Sequence, residues 1–126
     1  MKSDLVTLCE ATLDGNLAHV ETEWDSRAAL GVVMAAGGYP SGYAKGRNIS
    51  GLDLGESGTT KVFHAGTAIE DDNVITNGGR VLCVVGLGES VAKAKQSAYQ
   101  RVTQIDWEDV YYRNDIGHRA VAREST

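Results

Sequence analysis

The chain has 126 residues, enough for one domain that needs no covalent staple, since a domain of this size hides roughly two-thirds of its unfolded surface. Twelve Lys and Arg against 17 Asp and Glu leave a formal net charge of −5, which excludes a broad nucleic-acid-binding face but not a small anion held by one or two arginines. No apolar run approaches the ~20 residues of a membrane helix, and Cys9 and Cys83 lie within apolar patterns, as expected for reduced core thiols of a soluble, cytoplasmic protein.

In residues 3–13, Leu5, Leu8, Cys9 and Thr12 recur at helical spacing, with Ser3 as the expected N-cap and Asp14-Gly15 as the stop. Val6 and Leu13 form a second apolar face with nothing upstream to pack on, as expected for a helix that belongs to a missing preceding unit. Residues 17–24 alternate, with Ala18, Val20, Thr22 and Trp24 opposite His19, Glu21 and Glu23, which predicts a strand with one wet side. Residues 29–36 carry Leu30, Val32, Val33 and Met34 without polar interruption, the pattern of a strand covered on both faces. That strand ends at the corner Gly37-Gly38-Tyr39-Pro40, and residues 41–58 read as a loop anchored by Ile49, Leu52 and Leu54.

The stretch over residues 61–85 presents two polar loop ends. Val62 and Phe63 suit a pleated surface and lead to His64-Ala65-Gly66-Thr67. Glu70-Asp71-Asp72-Asn73 marks a turn before Val74-Ile75-Thr76, and Asn77-Gly78 reads as a tight turn in which both residues tolerate positive φ. Gly79 removes another Cβ beside Arg80, so that an anion could reach backbone N–H groups and a guanidinium fork together. The alternative is a glycine hairpin with a solvated arginine.

Farther on, Ser90 is the expected N-cap of a helix whose buried face is Val91, Ala94, Ala98, Val102 and Ile105. Residues 107–112 read as a final strand and residues 113–120 as a polar tail that folds back. Gly86-Leu87-Gly88, with Asp106 downstream, matches a dinucleotide fingerprint only superficially: Val91 stands where the third small residue should pack, so the reading is an ordinary strand-to-helix turn. The three histidines are scattered and no ligand spacing joins the cysteines, so no metal site is expected. His64 sits at a strand end suited to hydrogen-bonding a bound group. In the cluster of Arg113, Asp115 and Arg119, Asp115 and Arg119 have i, i+4 spacing for an intramolecular pair; the other reading places an arginine of this cluster beside Arg80 on a carboxylate or phosphate.

Several blocks together, residues 31–40, 62–67, 76–82, Ala98-Tyr99 and 112–120, closely resemble, in order and spacing, the carboxy-terminal domain of the phosphoribosylamine–glycine ligase family. This resemblance implies an ATP-grasp ligase of purine synthesis that uses ATP and Mg²⁺ to join glycine to 5-phosphoribosylamine, giving glycinamide ribonucleotide. It implies that the glycine-rich lid, the nucleotide-binding lysine and the Mg²⁺ ligands lie in an upstream domain absent from this sequence. Residues 1–15 are then the last helix of that domain and residues 16–126 the carboxy-terminal one. The implied fold is α+β, mostly β, of the barrel-sandwich or rudimentary single-hybrid kind, with one main helix.

On this resemblance the substrate-binding candidates are His64, Gly66, Thr67, Asn77, Gly78, Gly79 and Arg80, with Arg113, Asp115 and Arg119 as a second cluster and no catalytic group in the chain. Its partners would be the enzyme's other domains and the two substrates, without nucleic acid or membrane. No cofactor is expected on the isolated chain, which is expected to be inactive. The competing readings are a stand-alone, non-catalytic module that binds phosphoribosyl ligands and an interaction domain that docks through the Leu5, Leu8 and Leu13 face.

Overall fold

A computed structural model describes residues 1–55 and 57–124. The domain is built on two long antiparallel strands, β1 (Ala28–Ala36) and β5 (Arg80–Gly88), flanked by β2 (Thr60–His64) on the β5 side and β6 (Val110–Tyr111) on the β1 side, giving the sheet order β2-β5-β1-β6. The hairpin β3 (Thr67–Glu70) and β4 (Asn73–Thr76) forms a separate two-stranded sheet. Its turn is Asp71-Asp72, both at positive φ, with Glu70 opposite Asn73, as the acidic and amide run predicts. Residues 46–49 run beside β4, through Ile49 N–H to the Val74 carbonyl (2.9 Å) and Thr76 N–H to the Arg47 carbonyl (2.9 Å).

One face of the main sheet is sealed by α2 (Val91–Val102). Leu30, Val32 and Met34 of β1 and Leu82 and Val84 of β5 are buried with Ala94, Ala98 and Val102 of the helix. The helix sits low on the sheet because β5 offers it glycines. A Cβ on Gly86 would stand 2.3 Å from the Ala94 carbonyl oxygen, and one on Gly88 would stand 2.4 Å from the Ala94 nitrogen. Gly86-Leu87-Gly88 is therefore strand that carries a helix, and the turn falls later, at Glu89-Ser90. Ser90 caps α2 as predicted, accepting from Lys93 N–H at 3.2 Å. The two amides ahead of that one are taken by α3 (His118–Glu124), whose Glu124 carboxylate accepts from Val91 N–H at 2.8 Å and Ala92 N–H at 3.3 Å.

Several expectations are corrected. The first helix, α1 (Leu5–Leu13), is capped by Asp4, whose side chain accepts from Thr7 N–H; the Ser3 hydroxyl instead accepts from Glu23 N–H at 2.6 Å. Residues 17–24 are not a strand: Leu17–His19 forms a 3₁₀ turn followed by irregular chain, because no neighbouring strand is there to take its backbone hydrogen bonds. β1 is covered on one face only, so Val33 is 43% exposed beside fully buried Val32. The final strand shrinks to Val110–Tyr111, Leu54 is exposed rather than an anchor, and Cys9 is exposed, not a core thiol.

Candidate functional site

The first loop end is a crossing of two backbones. Gly66 and Gly78 meet so closely that a Cβ on Gly66 would stand 2.8 Å from the Gly78 Cα and 2.7 Å from the Arg80 carbonyl oxygen. Asn77 N–H donates to the Gly66 carbonyl at 2.7 Å and Ala36 N–H to the Gly79 carbonyl at 2.8 Å, which fixes the crossing to the end of β1. Asn77-Gly78 is not the tight turn its sequence suggests. Neither residue has positive φ, and β4 pairs with β3 and not with β5, so these glycines serve close approach rather than left-handed backbone. The space a Gly79 side chain would need is filled by the Tyr39 ring, 2.0 Å from the ideal Cβ position.

Arg80 owes its direction to a bulge. From Ala28 to Met34 the register of β1 on β5 is regular and pairs Met34 with Leu82, after which Ala35 pairs with Arg80 and Val81 is the extra residue. Without that slip, Arg80 would lie opposite Ala36 and on the face that α2 covers. With it, Arg80, Ala35 and Tyr111 form one row across β5, β1 and β6 on the open face. Two residues beyond Tyr111 comes Arg113, and Arg80, Arg113, Tyr39 and Tyr111 line one hollow of about 250 Å³. A second hollow of about 480 Å³ adjoins it, sharing Val33, Tyr39 and Arg80 and reaching Gly66, Gly79 and Cys83.

The two arginines differ in how they are held. Arg113 forms a fork with Asp115, Nε to Oδ1 at 2.8 Å and Nη2 to Oδ2 at 2.6 Å, in place of the Asp115–Arg119 pair expected from helical spacing. That guanidinium holds the Asp115 carboxyl well below its usual range, at about 2, while Asp115 raises the Arg113 pKa. The backbone of this segment is pinned by Tyr99 of α2, whose hydroxyl donates to the Arg113 carbonyl and accepts from Ile116 N–H at 3.2 Å. Burial pushes the Tyr99 phenol up, in keeping with a neutral donor. The Arg80 side chain, by contrast, has no hydrogen bond or ion pair to another described residue.

The remaining candidates separate from this pair. His64 closes β2 and its Nδ1 lies 3.1 Å from the Thr67 hydroxyl. Arg119 lies in α3 and lines a different hollow, shared with Arg113, Asp115 and His118. Tyr39 and Tyr111 were not singled out by sequence; the alternation in residues 107–112 hints at the facing of Tyr111, but nothing local reports on Tyr39. Cys83 is half-buried on the open face, and burial pushes its thiol up, away from thiolate character.

A family model described as phosphoribosylglycinamide synthetase, C domain, matches residues 29–119. The chain belongs to this family. It is 60% identical over 124 residues to a phosphoribosylamine–glycine ligase of Allochromatium vinosum and 57% identical over 124 residues to one of Vibrio cholerae. Each match covers 98% of this chain but 29% of the relative, so the chain spans under a third of the length of the curated relatives it matches. A crystal structure of phosphoribosylamine–glycine ligase from Thermotoga maritima aligns with a TM-score of 0.68 and 34% identity, covering 86% of this chain and 27% of that one. The chain is thus a small mixed α/β unit with antiparallel sheets, and the hollow bounded by Arg80 and Arg113 lies within the matched residues.

Proposed function

We propose that this chain works as the carboxy-terminal domain of a phosphoribosylamine–glycine ligase, the cytoplasmic enzyme that joins glycine to 5-phosphoribosylamine at the expense of ATP in purine synthesis. The reading rests above all on 60% identity across 98% of the chain to a protein of that name. Residues 1–15 are then a helix of the neighbouring domain; in favour of this, Leu5, Val6 and Leu13 of α1 are exposed and the family match begins at residue 29. Residues 16–126 form the carboxy-terminal module, completed into a barrel-sandwich arrangement in the intact enzyme. No helix among the described residues is long and apolar enough to cross a membrane.

ATP and Mg²⁺ do not fit this part of the enzyme. Among the described residues no group of three or more His, Cys, Asp or Glu could hold a metal, and the Tyr39 ring fills the space beside the Gly79 Cα. What the domain offers is a wall: a rigid sheet that presents Arg80 and apolar surface to a substrate held between it and the rest of the ligase. Such a wall orients an anionic substrate and keeps water from it; it supplies no phosphoryl-transfer group, so the isolated chain is inactive.

The test is a chimera in which residues 1–126 replace the matching part of the Vibrio cholerae ligase. Release of ADP that depends on both glycine and phosphoribosylamine, at a rate near the parent's, is expected of the chimera and not of the 126-residue chain alone. A folded chimera without turnover, or turnover by the chain alone, would overturn the reading.

A further inference from the structure

We propose that the hollow between Arg80 and Arg113 seats the phosphate monoester of the sugar substrate, with Tyr39 and Tyr111 standing at its sides. This deepens the ligase reading and rests on it for the identity of the sugar; the anion chemistry stands on the geometry alone. The hollow of about 250 Å³ has a floor of Gly31, Val33 and Ala35 from the centre of β1, where small side chains let a ligand come down onto the sheet. Arg80 and Arg113 both line it, and the carboxylate close by, that of Asp115, is held by the Arg113 guanidinium from outside the lining. The two arginines place positive charge beside the hollow on a chain whose net charge is −5.

Phosphate fits this arrangement better than the carboxylate of glycine. A carboxylate has two oxygens and is satisfied by a single guanidinium fork, whereas a phosphate monoester has three terminal oxygens and can bridge two. The backbone at Arg113 is held by the Tyr99 hydroxyl on its carbonyl, while the fork to Asp115 occupies two of its guanidinium nitrogens and must be shared or released when phosphate binds. The Arg80 side chain has no hydrogen bond or ion pair to another described residue, so its donors are open to a ligand. The sugar then extends toward the adjoining hollow of about 480 Å³, which shares Tyr39 and Arg80 and is edged by the Gly66 and Gly79 backbone. Asp115 competes with the phosphate for Arg113, which gives the assignment a distinctive sign: removing its charge strengthens binding.

The experiment has two arms. In the chimera, Arg80→Ala and Arg113→Lys are expected to raise the KM for phosphoribosylamine about tenfold each, on the scale of one lost charged contact, while the KM for glycine stays within about twofold. Asp115→Asn is expected to lower the KM for phosphoribosylamine, a gain that misfolding cannot imitate. In the second arm, the 126-residue chain is titrated with ribose 5-phosphate, inorganic phosphate, ribose and glycine, and the side-chain Nε–Hε signals of Arg80 and Arg113 are followed by NMR. Shifts with the first two and none with the last two are expected. Effects on the glycine KM instead, an Asp115→Asn change that weakens binding, or equal shifts with glycine would overturn the phosphate assignment even if the chimera turns over. Should the chimera fail while ribose 5-phosphate still moves both signals, the ligase reading falls and the anion site stands; silence in both arms removes the site.

Discussion

The two faces of the main sheet are made by alternate residues of the same strands, and they could hardly differ more. On the face under α2, Leu30, Val32, Met34, Leu82 and Val84 are buried, and Gly86 and Gly88 let the helix backbone lie almost against the strand. On the other, Val33 is 43%, Phe63 52% and Tyr111 59% exposed, and Arg80 and Arg113 border a hollow. Stability is concentrated on the first face, where these apolar side chains are buried, all but Leu30 completely. The second face is apolar enough to be a contact surface and charged at one end, which is where ligand or partner chemistry has room. A single period-2 pattern thus divides the sealed face from the open one, and the bulge at Val81 decides on which side Arg80 falls.

The contrast is open to direct test. Gly86→Val should be the most damaging change: its Cβ would meet the Ala94 carbonyl oxygen at 2.3 Å and the Ala98 nitrogen at 2.4 Å, both backbone, forcing α2 away at a cost of about 3 kcal/mol. Gly31→Ala on the open face meets only side chains, the Cys83 sulfur at 3.1 Å and a Val85 methyl at 3.7 Å, and should cost less than about 1 kcal/mol in the same urea denaturation. Val32→Ala should cost about 2 kcal/mol and its neighbour Val33→Ala about 0.5 kcal/mol or less; equal losses would mean that the open face is covered in the folded chain. Ser90→Ala removes the cap of the sealing helix and should cost about 1 kcal/mol, measured by thermal melting.

The smallest effect concerns pH. Asp115 has a folded pKa of about 2 against an ordinary value of 3.8, so its pairing with Arg113 contributes stability that is present above about pH 4 and lost as pH falls through 2. Because the pair is exposed, the contribution is small and weakened by salt. Asp115→Asn should flatten the melting-temperature profile of the chain over that window, and an unaltered profile would show that the fork is not formed in solution.

What could be read from the sequence was local. The Ser90 cap, the 3.6-residue period of Val91, Ala94, Ala98 and Val102, and the Asp71-Asp72 turn each announce themselves within a few residues and appear in the structure, although the helix stops at Val102, short of the Ile105 expected on its face. Failures arose where a distant part of the chain decides. Alternation in residues 17–24 makes a strand only if a partner strand is there, and the apolar run of β1 looks doubly covered because sequence does not say whether a second layer exists. Asn77-Gly78 has the composition of a hairpin turn, yet its glycine is needed for the crossing with Gly66. Arg80 was singled out and so was Arg113, but 33 positions separate them, and only the sheet order and one bulge bring them to the same hollow. The i, i+4 rule then misassigned the partner of Asp115, because its segment is a turn pinned by Tyr99 and becomes helical only from His118.

The grip of Glu124 on the start of α2 has a consequence for observing this domain at work. Val91 and Ala92 give their amide protons to that carboxylate, so their exchange with deuterated solvent reports whether α3 is seated. If these two amides exchange far faster than those in the middle of α2, the last helix is detaching while the sheet stays whole. Because α3 follows directly on the Arg113 segment, slower exchange on adding ribose 5-phosphate would make two ordinary backbone amides a remote gauge of what occupies the hollow.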